Sequence, residues 1–178
     1  MSPERTRVVV TSVTESGGSR LEDLTVEQTI NRGPDGEVLF SGTFLWGTPD
    51  GIDRVGPDHD LPSTTVPFFP GPGGHRFYLF TFMPESDERQ SVSRAAIDGD
   101  TFVGLADTVD DSDAGRHRSD TVDYAYVVSG RVTLETDDGQ VDLGPGDTVV
   151  QRGTWHTWRN TGTEPCVVAC VLIGAERT

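Results

Sequence analysis

The 178-residue sequence predicts an all-β fold, on three observations. Short runs rich in Val, Thr, Phe and Tyr recur along most of the chain, as half-buried strands require. Turn residues bound those runs, drawn from 21 Gly, 11 Pro and many Asp. No stretch before residue 85 carries an apolar period of 3.6 residues. Many short strands with Gly- and Pro-rich turns pack as a sandwich or a barrel.

The elements follow in order. Runs at 7–13, 24–30, 37–46, 75–83, 123–129, 131–137, 140–143, 147–152, 156–160 and 165–173 read as strands. Residues 32–36 (RGPDG) and 137–139 (DDG) read as hairpin turns. Residues 47–74 include Pro49, Pro57, Pro62, Pro67, Pro70 and Pro72, and read as a long loop. Residues 85–115 are charged: 86–97 predicts two helical turns capped by Ser86, and 101–109 a short helix or a strand. A segment of that length at a barrel mouth is either a lid or a solvated acidic connection. There is no internal repeat. Residues 1–74 are expected to pack on a barrel formed by 75–178.

Composition removes several function classes. A net charge of -15 argues against nucleic-acid binding, which needs a basic surface. All 14 basic residues are arginine, so no lysine Schiff base is available. No run of 18 apolar residues spans a bilayer, and the first residues lack a signal-peptide core. The expectation is a cytoplasmic protein that touches neither membrane nor nucleic acid. Cys166 and Cys170 lie on one strand about 13 Å apart, too far to pair. Asp107, Asp110, Asp111 and Asp113 lack the spacing of a calcium loop and read as a solvated face.

Two clusters carry chemistry. In an extended segment residues two apart share a face, so His117, Ser119, Thr121 and Asp123 point one way. His156 follows a Gly-Pro-Gly-Asp turn and a short apolar strand, and Trp158 and Asn160 share its face. Two imidazoles and a carboxylate hold a divalent metal with positions open to substrate. Without metal, the same groups serve as acid, base or hydrogen-bonding partners. Asp123 on a barrel's inner face needs a metal, a proton-transfer role or a structural partner such as backbone or Arg118. Ser119 and Thr121 are candidate pocket hydroxyls, Asn160 a candidate pocket amide, and Trp158 is a pocket wall or core packing. Arg152 reads as an outward ion pair, and His59 and His75 as surface or loop residues. Tyr124 and Tyr126 fall opposite Asp123, under N-terminal strands or a second subunit.

These clusters resemble the two motifs of the cupin superfamily, over residues 115–174, and especially its single-domain bacterial members. The first motif reads His117-x-Ser119, three residues, Asp123, six residues, Gly130. The second reads Gly146-Asp147, TVVQ, Arg152-Gly153-Thr154-Trp155-His156, three residues, Asn160. The first is degenerate: Ser119 stands where the family has a second histidine, and Asp123 where it has glutamate. The resemblance implies a double-stranded β-helix, the cupin jelly-roll barrel, with N-terminal strands extending a sheet and a homodimer as its assembly. It implies a divalent metal (Fe, Zn, Mn or Ni) on His117, Asp123 and His156, at a site that the missing histidine weakens or empties. Asp123 and His156 are then the catalytic pair. Three functions remain open. One is a metal-assisted lyase or isomerase performing decarboxylation, dehydration or cyclisation on an oxygenated, polyketide-like substrate. Another is an Fe(II) oxygenase, and the third a non-catalytic small-molecule binder that has lost its metal.

Overall fold

The computed structural model describes residues 5–33, 36–48, 51, 55–57, 67–85, 102–113 and 115–178. Eleven strands are present among them: β1 (Arg5–Val13), β2 (Ser19–Glu27), β3 (Thr29–Arg32), β4 (Val38–Thr48), β5 (His75–Phe82), β6 (Thr121–Ser129), β7 (Val132–Thr136), β8 (Gly139–Leu143), β9 (Thr148–Arg152), β10 (His156–Arg159) and β11 (Cys166–Gly174). They form a six-stranded sheet of order β3-β4-β5-β11-β6-β9, a three-stranded sheet β10-β7-β8 and a separate hairpin β1-β2. The fold is an all-β jelly roll. Strand β9 belongs to one sheet and β10 to the other, so the short turn between them carries the chain across the barrel.

Both sheets bury one face against a common core. Val132, Leu134 and Leu143 from the small sheet join Ala125, Val127, Val168, Cys170 and Leu172 from the large one. An aromatic group of Phe40, Phe44, Phe68, Tyr78, Phe80 and Phe102 continues this cluster, with ring centroids 5.0–5.9 Å apart. Such contacts add about 0.5–1.5 kcal/mol per pair beyond burial. Both cysteines are free and buried on β11, where they act as small apolar side chains.

Glycine makes the tight connections possible at the motif positions. Gly130 turns the chain from β6 to β7 at φ 75°, and a Cβ there would lie 2.4 Å from the Pro165 carbonyl oxygen. The Gly-Pro-Gly-Asp turn is closed by Asp147, whose carboxylate accepts from the Gly144 amide at 2.8 Å.

The N-terminal half differs from the expectation in one respect. The run read as a single strand at 24–30 is broken between β2 and β3. Strand β2 pairs with β1 in a hairpin beside β4, and β3 pairs with β4 at the edge of the large sheet. β3 and β4 pair antiparallel, and Gly36 N–H donates to the Gly33 carbonyl; residues 34 and 35 of the turn read at 32–36 lie outside the described residues. Buried Arg76 joins the proline-rich loop to this sheet by donating to the carbonyls of Pro67, His75 and Thr48. The helical turns predicted at 86–97, and His59, lie outside the described residues. The stretch at 101–109 contains one turn of 3-10 helix, Ala106–Thr108. No helix among the described residues is long and apolar enough to cross a membrane.

Candidate functional site

Backbone pairing brings the two histidines together. His117 and His156 form an antiparallel bridge, each amide donating to the other's carbonyl at 3.0 and 3.1 Å. Their rings lie 4.2 Å apart, centroid to centroid. A clamp holds the outside of this bridge: the Arg116 and Arg118 guanidinium groups each sit 4.7 Å from the centroid of the Trp155 ring. Arg116 also pairs with Asp110 and Asp137, both at 2.7 Å. Arg118 therefore stacks on Trp155, and the side-chain partner of Asp123 is Gln151 rather than Arg118. The Asp110 carboxylate accepts from the Ser112 hydroxyl and amide and, secondarily, pairs with Arg116, and these contacts hold its pKa below the usual range.

Asp123 comes from β6, and the β6–β9 register sets it directly across from Gln151. The Gln151 amide nitrogen lies 2.9 Å from His156 Nε2 and 3.3 Å from Asp123 Oδ2. His156 Nδ1 lies 2.8 Å from the Thr154 carbonyl oxygen, which can only accept. The proton is therefore on Nδ1, and Nε2 accepts from Gln151. His117 is held similarly, its Nδ1 donating to the Gly115 carbonyl at 3.2 Å.

Burial sets the protonation states. It raises the Asp123 carboxyl to about 6, against the opposing pull of the Thr121 hydroxyl and the Gln151 amide. It lowers His156 to about 3, and the neighbouring His117 adds to the effect. His117 is lowered too, by burial. At neutral pH the site holds two neutral imidazoles and a carboxylate that gains its proton readily.

These groups form the polar floor of a cavity of about 240 Å³. Its walls are mainly aromatic and aliphatic: Phe40, Phe68, Phe80, Phe82 and Trp158 supply most of the ring surface. Trp158 is both wall and packing, stacked on Phe82 with centroids 5.8 Å apart. The described part of the 85–115 segment closes one side. Leu105 and Val109 line the cavity and Phe102 packs behind it, all three buried. Arg159 at the rim pairs with Glu85 and Glu135, at 3.5 and 3.2 Å.

The remaining sequence candidates sit elsewhere. Ser119 and Thr121 are buried but do not line the cavity; their hydroxyls bond each other at 2.6 Å. Asn160 lines the cavity, but its amide is committed to structure. It donates to the Phe82 and Glu164 carbonyls and accepts from Gly162. Gln151 and Trp155 escaped sequence reasoning. Gln151's importance comes from its cross-strand register with Asp123, which sequence alone does not supply.

The arrangement does not fit a metal. Among the described residues, no three His, Cys, Asp or Glu side chains are placed to hold an ion. The His156 nitrogen with a free lone pair already receives the Gln151 proton.

Residues 109–172, which contain every polar group of the floor, match a family model described as a cupin domain. The chain carries a cupin domain. Its curated relatives include oryzines biosynthesis cluster protein J of Aspergillus oryzae, 32% identical over 123 residues, 66% of each chain. Phomopsin biosynthesis cluster protein C' of Diaporthe leptostromiformis is 35% identical over 66 residues, 36% of this chain and 35% of that protein. The chain thus spans about a third of the latter's length and 66% of the former's. Both relatives are fungal. Among solved structures, a Cupin 2 conserved barrel protein from Salinispora arenicola aligns with TM-score 0.43 and 15% identity, over 76% of each chain.

Proposed function

We propose that this cupin is a small-molecule enzyme that moves a proton on an oxygenated, ring-bearing substrate, in a dehydration, isomerisation, decarboxylation or cyclisation. The observation that carries this reading is the Asp123–Gln151–His156 hydrogen-bonded floor under an aromatic cavity. A carboxyl that titrates near 6 is matched to proton transfer near neutral pH. In this scheme Asp123 takes a proton from carbon next to a carbonyl, or from a hydroxyl, and returns it to the product. Gln151 holds the carboxylate, and neutral His117 and His156 line the floor beside it. The curated relatives' names place them in biosynthetic clusters, which supports a natural-product-like substrate.

The floor also defines what binds. Asp123 Oδ1 and Gln151 Oε1 are buried acceptors without a well-directed donor, and both histidines spend their Nδ1 protons on backbone carbonyls. Buried acceptors in this state favour a ligand that brings hydroxyl protons. An enol or phenol on a flat ring meets both the floor and the walls.

Calorimetry with 2-naphthol and 2-methoxynaphthalene tests this. The naphthol is expected to bind at least about tenfold tighter, because methylation removes the donor. Equal affinities sink the substrate class. A second reading, a non-catalytic binder, draws on the absent ligand set. Screening enolisable aromatic ketones for deuterium uptake from D2O decides between the two: exchange lost in Asp123→Asn supports the enzyme, and tight binding without exchange supports the binder. An Fe(II) oxygenase needs His117, Asp123 and His156 as joint ligands, and the present geometry does not support one. The assembly we propose is a homodimer through the outer face of β6, where Tyr124, Tyr126 and Val128 are about half exposed.

A further inference from the structure

We propose that Gln151 stands in for a metal ion: its side-chain amide bridges His156 and Asp123 and closes the His156 Nε2 lone pair to cations. Three acceptors fix its orientation. The Thr154 carbonyl takes the Nδ1 proton of His156, so Nε2 is a lone pair aimed at Gln151. Asp123 Oδ2 is the second acceptor facing the same amide. Turning the amide over would point Oε1 at both and leave two repulsive contacts in a buried site.

The amide therefore does what a divalent ion would do there: it accommodates the imidazole lone pair and the carboxylate together. It does so as a hydrogen-bond donor, with no ligand exchange and no release of protons. A metal binding at this point would have to break both hydrogen bonds donated by the Gln151 amide and strand that amide in a buried site. The register argues that the placement is built in. Asp123 and Gln151 are cross-strand partners on β6 and β9, and His156 lies at the start of β10, across the three-residue turn 153–155. Gln151 is thus a positioning residue with a selective role: it keeps His156 and the proton-transferring Asp123 of the proposed reaction metal-free.

The test uses the full chain and the metal alone. Co2+ and Zn2+ are titrated into wild type, Gln151→Glu and Gln151→Leu, with His156 followed by long-range 1H–15N NMR. In wild type, His156 is expected to show a protonated Nδ1 and an Nε2 shifted by an accepted hydrogen bond. In Gln151→Leu, Nε2 moves to the free-lone-pair position. Gln151→Glu replaces the donor with a third ligand of the same shape, so Co2+ binding should tighten at least tenfold and disappear when His156→Ala is added. Wild type binding Co2+ through His156 as tightly as Gln151→Glu overturns the proposal. So does an Nε2-protonated His156 in wild type, a result that needs no variant to fold.

Discussion

The two faces of β6 invert the usual placement of polar and apolar groups. Inward, the strand presents Thr121, Asp123, Ala125 and Val127, all buried; outward, it presents Tyr124, Tyr126 and Val128, about half exposed. A strand built only for stability would put its carboxylate in water and its tyrosines in the core. Part of the inner face is ordinary: Ala125 and Val127 pack against β11 and the small sheet. Asp123 is the departure, and it sits where β9 supplies a glutamine. The difference shows that the upper half of this strand is organised around a buried polar site, and the lower half around packing.

The largest test of that division is a charge in the packing half. Val127→Asp should unfold the protein or cost more than about 4 kcal/mol, because an unpaired carboxylate replaces a side chain that is 1% exposed. The same change at Tyr124 should cost less than about 0.5 kcal/mol in the monomer. Urea unfolding of both variants gives the comparison, and similar losses would erase the distinction between the faces.

A pH series sharpens it. The folded state holds the Asp123 proton more tightly than the unfolded chain, with a pKa near 6 against 3.8. The native state binds more protons between those values, so this group's contribution is fully present below pH 3.8 and is lost as pH rises through 6. The loss is about 3 kcal/mol as an upper figure. Asp123→Asn should therefore be more stable than wild type at pH 8, with the advantage gone by about pH 4. His156 works in the opposite sense. Its pKa falls from 6.5 to about 3, so its contribution is present above pH 6.5 and is lost as pH falls through 3. It is the same in both proteins, and the difference between their melting curves isolates Asp123. A constant difference across pH would show that Asp123 is not a buried, proton-holding carboxyl.

Trp155→Ala should have a smaller effect, about 1–2 kcal/mol, by removing two arginine–ring contacts from the outside of the histidine bridge. Hydrogen exchange of the His117 and His156 amides should quicken more than the global loss accounts for. The smallest expected effect is Tyr124→Ser with Tyr126→Ser. It should leave monomer stability within about 0.5 kcal/mol while abolishing the proposed dimer in sedimentation. A dimer that survives lies on another face.

Much of this was legible in the chain. Period-2 alternation placed Thr121 and Asp123 on one face and the tyrosines on the other, and the turn residues marked the β7–β8 hairpin. The reading of the acidic run as a solvated face holds for the exposure of Asp107 and Asp111, but Asp110 is engaged by Arg116 and Asp113 lines the cavity. Less legible was the hairpin β1-β2. A run of alternating residues does not say which neighbour it will pair with, and β2 turned from the large sheet to β1. The segment 85–115 reads from its charge as a lid or a solvated acidic connection, with 101–109 a short helix or a strand, and the burial of Phe102, Leu105 and Val109 is not anticipated there.

By itself the sequence determined the local terms: which segments extend, where glycine turns them, and which side chains share a face. These depend on backbone sterics and on a period of two, both written in neighbouring residues. Only the tertiary structure decided which faces meet. Asp123 and Gln151 are 28 positions apart and become partners through a strand register. His117 and His156 meet through two backbone hydrogen bonds. The protonation states of Asp123, His117 and His156 follow chiefly from burial. Desolvation is a property of everything packed around a group, so no reading of its neighbours in sequence supplies it.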